Sequence, residues 1–321
     1  MTIGAANAVH VEVLTMGRAG VDVYPQQIGT PLEDVTSFAK FLGGSPTNVA
    51  VAAARLGRSA AVITRTGEDP FGRFIHRALR EFGVDDRFVT GVEHLPTPVT
   101  FCEIFPPDDF PLYFYRLPTA PDLQIGADEL DFDAIAAADV FWVTGTGLCE
   151  EPSRSATMAA LKARTGHGTT ILDLDYRPMF WRSRAEAHEH IHAAVQLVDV
   201  AVGNLDECET AVDERDPQRA AAALLDAGVE LAVVKQGPAG VLGVRRGEAV
   251  VVPPVPVDVV NGLGAGDAFG GALCHGLLAG WDIDRVLRFA NVAGSIVAGR
   301  LACADAMPTS AELEPFLSEA L

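Results

Sequence analysis

The feature that most constrains this chain is a repeated alternation between short, mainly apolar runs and longer amphipathic stretches. Runs of strand length occur at residues 9–16, 60–64, 140–143, 170–174, 198–202 and 231–234. Helical patterns separate them at residues 47–56, 71–82, 153–164, 184–197 and 218–227. A strand without polar alternation must be covered on both faces, and helices spaced between such strands supply that cover. The expected fold class is therefore α/β, a doubly wound and mostly parallel sheet. In such sheets ligands bind beyond the carboxyl ends of the strands, so chemistry is sought in the loops that follow them.

Two regions depart from this rhythm. Residues 98–116 place Thr-, Val-, Phe- and Tyr-rich segments on either side of Pro106, Pro107, Asp108 and Asp109, the pattern of an antiparallel hairpin around a turn. Together with residues 21–35 it forms a small β element over the main sheet, either an ordinary edge hairpin or a lid over substrate. With lid elements at about residues 21–40 and 97–118, residues 1–321 are expected to make one domain, since no Pro-, Ser- or Gly-rich linker divides them.

Charge narrows the partners. A formal net charge of −19 repels nucleic acid and anionic membrane alike, which leaves small molecules. An anionic ligand then needs cations gathered locally, and each Arg or Lys inside a motif gains weight. The five cysteines are scattered, with no C-x-x-C pair and no zinc spacing, and a reducing, cytoplasmic setting is expected. Residues 1–10 lack the basic start and apolar run of a secretory leader, and no uncharged apolar stretch approaches the roughly 20 residues of a membrane span.

The strongest local signal is Gly262-Leu263-Gly264-Ala265-Gly266-Asp267-Ala268-Phe269-Gly270-Gly271, a glycine-rich turn opening an apolar helix. The unpaired amides of a first helical turn bind anions, and Gly264, Ala265 and Gly266 would neutralise a migrating phosphoryl group. Asp267 would then accept the proton of the attacking hydroxyl. Its place at a helix start predicts a lowered pKa, a weak base compatible with a dissociative phosphoryl transfer in which the proton leaves late. The alternative is a plain turn with a capping aspartate. The P-loop pattern G-x-x-x-x-G-K-[ST] is missing from the sequence, and Gly262-x-Gly264 lacks the strand and acidic ribose partner of a dinucleotide fingerprint. His188, His190 and His192 share a helical stretch without H-E-x-x-H spacing and are expected on a solvated face.

Joined to a second motif, the turn becomes specific. Gly43-Gly44-Ser45-Pro46-Thr47-Asn48-Val49-Ala50 runs into Arg55-Leu56-Gly57, with glycines that let the chain approach a polyol and an Asn48 amide able to donate to and accept from sugar hydroxyls. These two motifs, in this order, resemble the ribokinase-like (PfkB) family of carbohydrate kinases. The resemblance implies ATP and Mg²⁺ as cofactors and a sugar or sugar acid as partner. It implies that Asp22, Gly43, Gly44 and Asn48 bind the sugar. It implies that Asn204, Lys235, Gly237, Gly240 and Asn291 serve the nucleotide and that Glu207, in Asn204-Leu205-Asp206-Glu207, organises Mg²⁺ through water. It also implies a homodimer through the β lid.

Two departures from the family pattern are visible. Asn261-Gly262-Leu263 stands where Asp-Thr-Thr usually precedes the turn, and that aspartate goes with a monovalent-cation site, so K⁺ dependence stays open. Asp175 replaces an asparagine in Asp173-Leu174-Asp175-Tyr176-Arg177. With Met16-Gly17-Arg18 and Tyr113-Phe114-Tyr115-Arg116, this is similar to the inositol-catabolism branch, implying phosphorylation of the 6-hydroxyl of 5-dehydro-2-deoxygluconate. Arginine forks bind carboxylates bidentately, which makes Arg116 and Arg177 the candidates for a sugar acid. Kinases of 2-keto-3-deoxygluconate, fructose or ribose remain alternatives, as does a non-catalytic sugar- or nucleotide-binding regulator.

Overall fold

The computed structural model describes residues 10–318. The expectation about a leader over residues 1–10 lies, His10 apart, outside that range, as do both ends of the expected 1–321 domain. In chain order the strands are β1 (Val13–Met16), β2 (Gly20–Pro25), β3 (Phe38–Gly43), β4 (Ala60–Gly67), β5 (Val84–Asp85), β6 (Val89–Val92) and β7 (Val99–Cys102). They continue as β8 (Leu112–Tyr115), β9 (Val140–Thr144), β10 (Thr169–Asp173), β11 (Val200–Asn204), β12 (Leu231–Lys235), β13 (Val241–Arg245) and β14 (Glu248–Val252).

The main sheet runs β14-β13-β12-β11-β10-β9-β1-β4-β5, with β6 also on β4. From β5 to β12 its pairs are parallel, with Val13 of β1 opposite Val140 on one side and Ala60 on the other. Alternate side chains of each central strand enter opposite cores. Val13, Trp142, Ile171, Val202 and Val233 face one, while Leu14, Phe141, Leu172, Ala201 and Val234 face the other. Both sets are fully buried, which is why these strands carry no polar alternation.

The edge hairpin β13–β14 was not legible as strands. It pairs antiparallel; β14 leaves one face to solvent, so its apolar residues alternate with more exposed ones, while β13 buries only Val241, Leu242 and Gly243 before turning outward at Arg245. The same holds for β3, whose outer residues are exposed. The expected small β element exists as a second sheet, β3-β2-β7-β8, in which the 98–116 hairpin pairs Val99 with Tyr115 and Cys102 with Leu112. The expected helices lie within one or two residues of those found, at Ser45–Arg55, Pro70–Glu81, Ser153–Ala163, Arg184–Val195 and Pro217–Asp226. Among the described residues no helix is long and apolar enough to cross a membrane.

Two features position a site. The chain leaves β1 towards β4 on one side and returns to its other side with β9, so a crevice opens beyond the carboxyl ends of β1 and β9. Above it the Ser45–Arg55 and Ala265–Leu278 helices approach closely. A Cβ added at Gly271 would lie 2.3 Å from the Ala52 Cβ, so glycine there sets the helix spacing.

Candidate active site

Each parallel strand from β1 to β12 delivers side chains beyond its carboxyl end. Arg18 follows β1, Thr146 follows β9, Asp175 and Arg177 follow β10, Asn204 ends β11 and Lys235 ends β12. All of them line one cavity of about 470 Å³, together with Asp173, Glu207, Gly237, Asp22 and Tyr24 of β2, and Ser45, Asn48, Gly264, Gly266 and Asp267 of the two helix starts.

The helix Ala265–Leu278 begins from Gly264, which holds a left-handed φ of 82°. A Cβ at Gly264 would also lie 2.7 Å from the Cys303 sulfur, so conformation and space both require glycine. The first backbone N–H to bond back into the helix is that of Ala268, donating to the Gly264 carbonyl at 2.9 Å. The amides before it have no acceptor in the helix and face an anion's place. Lys235 Nζ stands over them, 3.4 Å from where a Gly266 Cβ would be and 4.0 Å from Glu207 Oε2. Burial opposes the lysine's charge, but Asp173, Glu207 and Asp267 hold its pKa above the usual value.

Asp267 Oδ2 accepts from Asn48 Nδ2 at 2.8 Å, a bond across the two helix starts. Its pKa is pushed up to about 6, chiefly by burial and further by Asp175, against the downward pull of Asn48 and Lys235. The lowered value predicted from its helix position is therefore reversed: desolvation outweighs the helix start. Such a carboxyl ionises at neutral pH and is a better base than an unperturbed aspartate. An anion on the first-turn amides would lie beside it.

Asn204 and Glu207 form a capping box, Glu207 N donating to Asn204 Oδ1 at 3.0 Å and Asn204 N to Glu207 Oε2 at 2.7 Å. One carboxylate oxygen of Glu207 thus closes its own helix start. Asp173 is buried beside Glu207, Asp175 and Asp267, and burial raises its pKa. Asp175 holds a left-handed φ of 29° and is fixed twice, by Thr146 Oγ1 at 2.9 Å and by Arg177 Nη2 at 3.0 Å.

At the other end, Asp22 Oδ2 accepts from the Tyr24 hydroxyl at 3.0 Å, and that hydroxyl also lies 2.8 Å from the Cys303 sulfur. Burial raises the Asp22 pKa while Arg18 opposes the rise. Gly43 and Gly44, expected to admit a polyol, make room for neighbouring protein atoms. A Cβ at Gly43 would sit 2.2 Å from Asp22 Oδ1, and one at Gly44 would sit 2.2 Å from the Arg18 carbonyl. Asn48 turns its amide nitrogen to Asp267 and leaves Oδ1 buried without a hydrogen-bond partner.

Several expected residues lie elsewhere. Arg116 does not line the cavity: it is buried behind it, with Nη2 2.9 Å from Asp122 Oδ2 and its guanidinium 4.6 Å from the Phe180 ring centroid. Gly240, at φ 91°, serves the turn into β13, where a Cβ would meet the Val252 carbonyl. Asn291 Nδ2 donates to the Pro253 carbonyl at 2.7 Å. Neither of these two lines the cavity. His188 and His192 are half-buried rather than solvated, their Nδ1 atoms 3.0 and 3.1 Å from the Thr210 and Ala211 carbonyls. The described residues hold no group of three or more His, Cys, Asp or Glu arranged to bind a metal. Asn261 is fully buried, donating from Nδ2 to the Leu301 carbonyl at 2.7 Å and accepting from Leu263 N at 3.0 Å.

Sequence reasoning missed Tyr24, Thr146, Cys303 and Phe180 as cavity residues and used Arg18 only as a branch marker. Arg18 carried a usable signal, a cation directly after a strand end. Tyr24 and Cys303 carried none, being 279 positions apart and brought together only by the fold.

Residues 12–310 match the profile of the pfkB family carbohydrate kinases. A protein of Geobacillus kaustophilus named 5-dehydro-2-deoxygluconokinase is 33% identical over 316 residues, spanning 96% of this chain and 94% of that one. An E. coli protein provisionally named ribokinase II, solved in complex with ATP and Mg²⁺, superposes with a TM-score of 0.87 at 25% identity, covering 96% of this chain and 99% of the other. A fructokinase double mutant of Vibrio cholerae O395, in a form bound to fructose, ADP and potassium ion, gives a TM-score of 0.84 at 26% identity, covering 96% and 98%.

Proposed function

From the premise that this chain belongs to the pfkB family of carbohydrate kinases, we propose that it transfers the γ-phosphoryl group of ATP to the 6-hydroxyl of 5-dehydro-2-deoxygluconate. The observation that carries the mechanism is the contact between Asn48 and Asp267 at an open helix start, with Lys235 above it. Asp267 takes the proton of the acceptor hydroxyl, and the amides of Gly264, Ala265 and Gly266 with Lys235 hold the oxygens of the moving phosphoryl group. Asp22 and the free Oδ1 of Asn48 receive sugar hydroxyls. Asn204, Lys235 and Gly237 flank the phosphates, and Arg177 lends positive charge where four acidic side chains, Asp173, Asp175, Glu207 and Asp267, crowd.

Mg²⁺ fits this cavity as a passenger of the nucleotide, since a magnesium ion on phosphates keeps most of its waters and needs only one or two protein carboxylates. Glu207, with one oxygen committed to its helix cap, suits contact through water. When bound, the ion neutralises phosphate charge. The buried, unpaired cysteines agree with a reaction in the cytoplasm. The outer face of the small sheet suits a homodimer: Phe38 and Tyr115 both pack edge-to-face with Phe101 and are both exposed.

An ADP-release assay over 5-dehydro-2-deoxygluconate, 2-keto-3-deoxygluconate, fructose and ribose tests the substrate. The first should give the highest kcat/KM. A neutral sugar outperforming both acids would overturn the substrate assignment.

A further inference from the structure

The cavity holds three cationic side chains, with a fourth behind it, and three of these four are already committed. Arg116 lies on Asp122, outside the lining. Arg177 lies on Asp175, whose carboxylate is fixed again by Thr146. Lys235 stands between Glu207 and the helix start at Gly266. The fourth is Arg18. It lines the cavity and makes no hydrogen bond or ion pair among the described residues; its Nη1 is buried, 3.6 Å from where a Gly20 Cβ would be, so the other N–H groups of the guanidinium are the ones left for ligand.

The surroundings of Arg18 fix its direction. Its carbonyl is pressed against Gly44, where a Cβ would come within 2.2 Å. Its guanidinium lies 5.3 Å from the centroid of Phe114 on β8, and Phe114 packs edge-on against Phe180 at 4.8 Å. With its guanidinium carbon over an aromatic ring, an arginine keeps N–H groups for an anion, and a carboxylate can accept from two of them at once. Asp22 lies within electrostatic reach but takes its hydrogen bond from Tyr24, leaving the Arg18 edge for another partner.

We propose that Arg18 is the residue that recognises the substrate's carboxylate and so selects sugar acids over neutral sugars. This rests on the sugar-acid reading above and adds the residue that enforces it. A neutral sugar would bury the same guanidinium without a partner, and a site built to hydrogen-bond a group discriminates strongly against ligands that lack it. Arg116, the arginine singled out within the lid motif, then acts as the support of the aromatic wall through Phe180.

The test is steady-state kinetics of the full chain and of Arg18→Gln and Arg18→Lys, on 5-dehydro-2-deoxygluconate and on its neutral counterpart carrying a hydroxymethyl group at C1. Arg18→Gln should raise KM for the acid by about 100-fold more than KM for the neutral counterpart, with the loss falling on KM rather than kcat. Arg18→Lys, which keeps the charge and loses the fork, should fall between, and a melting curve close to the parent's shows that each variant is folded. A wild-type protein that prefers neutral sugars would sink the sugar-acid reading and this proposal together. A wild type that prefers the acid, beside an Arg18→Gln variant that keeps that preference, would sink this proposal alone.

Discussion

At one end of the cavity the groups proposed to meet phosphate come from a single turn, residues 264–267, reinforced by Lys235 from a neighbouring strand end. At the other end Arg18, Asp22 and Asn48 arrive from a loop, a strand of the small sheet and a helix, and their settings depend on Tyr24, Phe114 and Cys303. The first end uses backbone amides, which any sequence able to make the turn will present. The second uses side-chain chemistry, which must be matched to one ligand. Generic affinity for a phosphoryl group is therefore compact in sequence, and selectivity for the acceptor is dispersed.

Four experiments bear on this division. Asp267→Asn should lower kcat by about 10³-fold while nucleotide and sugar still bind, as expected when a general base is removed. The same change should raise stability. A carboxyl whose folded pKa is lifted from 3.8 to about 6 favours its protonated form in the folded state, so stability is lost as pH rises across that window. Melting curves should place Asp267→Asn above the parent by about 2 kcal/mol at pH 8, the partial opening to solvent allowed for, and level with it near pH 4. Near-normal turnover in this variant would remove the proposed mechanism.

A pair of substitutions separates the ends. Lys235→Met should cost roughly 10²-fold in kcat/KM for ATP and leave sugar KM nearly alone. Gly43→Ala pushes a methyl group into the Asp22 carboxylate and should raise sugar KM by about tenfold, with ATP little affected. If both variants moved both substrates equally, the two ends would be one unit. The pH profile is a finer probe: kcat/KM for the sugar should fall about tenfold per pH unit below about 6, as Asp267 protonates. A profile flat to pH 5 would contradict the assigned base. The smallest expected effect concerns K⁺. Asn261 directs an N–H donor, not a carboxylate, at the Leu301 carbonyl, so replacing K⁺ with a bulky organic cation should change kcat by less than about twofold.

The sheet was legible because burial on both faces writes itself as apolar runs, and the helices because their amphipathic periodicity marks their extent to within a residue or two. The hairpin β13–β14 was not, since an edge strand shares its pattern with surface loops. In the cavity, Asp267, Asn48, Glu207 and Lys235 were readable from short motifs. Arg116 misled for a physical reason. A motif arginine looks the same whether it faces ligand or an aspartate six residues on, and here Asp122 takes it. The direction of the Asp267 shift misled likewise, because a helix start is local and visible, whereas desolvation depends on everything packed around it.

If Asp267 is the base proposed above, its half-buried, desolvated carboxyl sets chemistry and folding against each other. A laboratory selection that rewards heat resistance alone would discard this aspartate early and return robust, inert proteins. Any campaign to toughen this catalyst has to screen for turnover in every round and gather its gains away from the mouth of that helix.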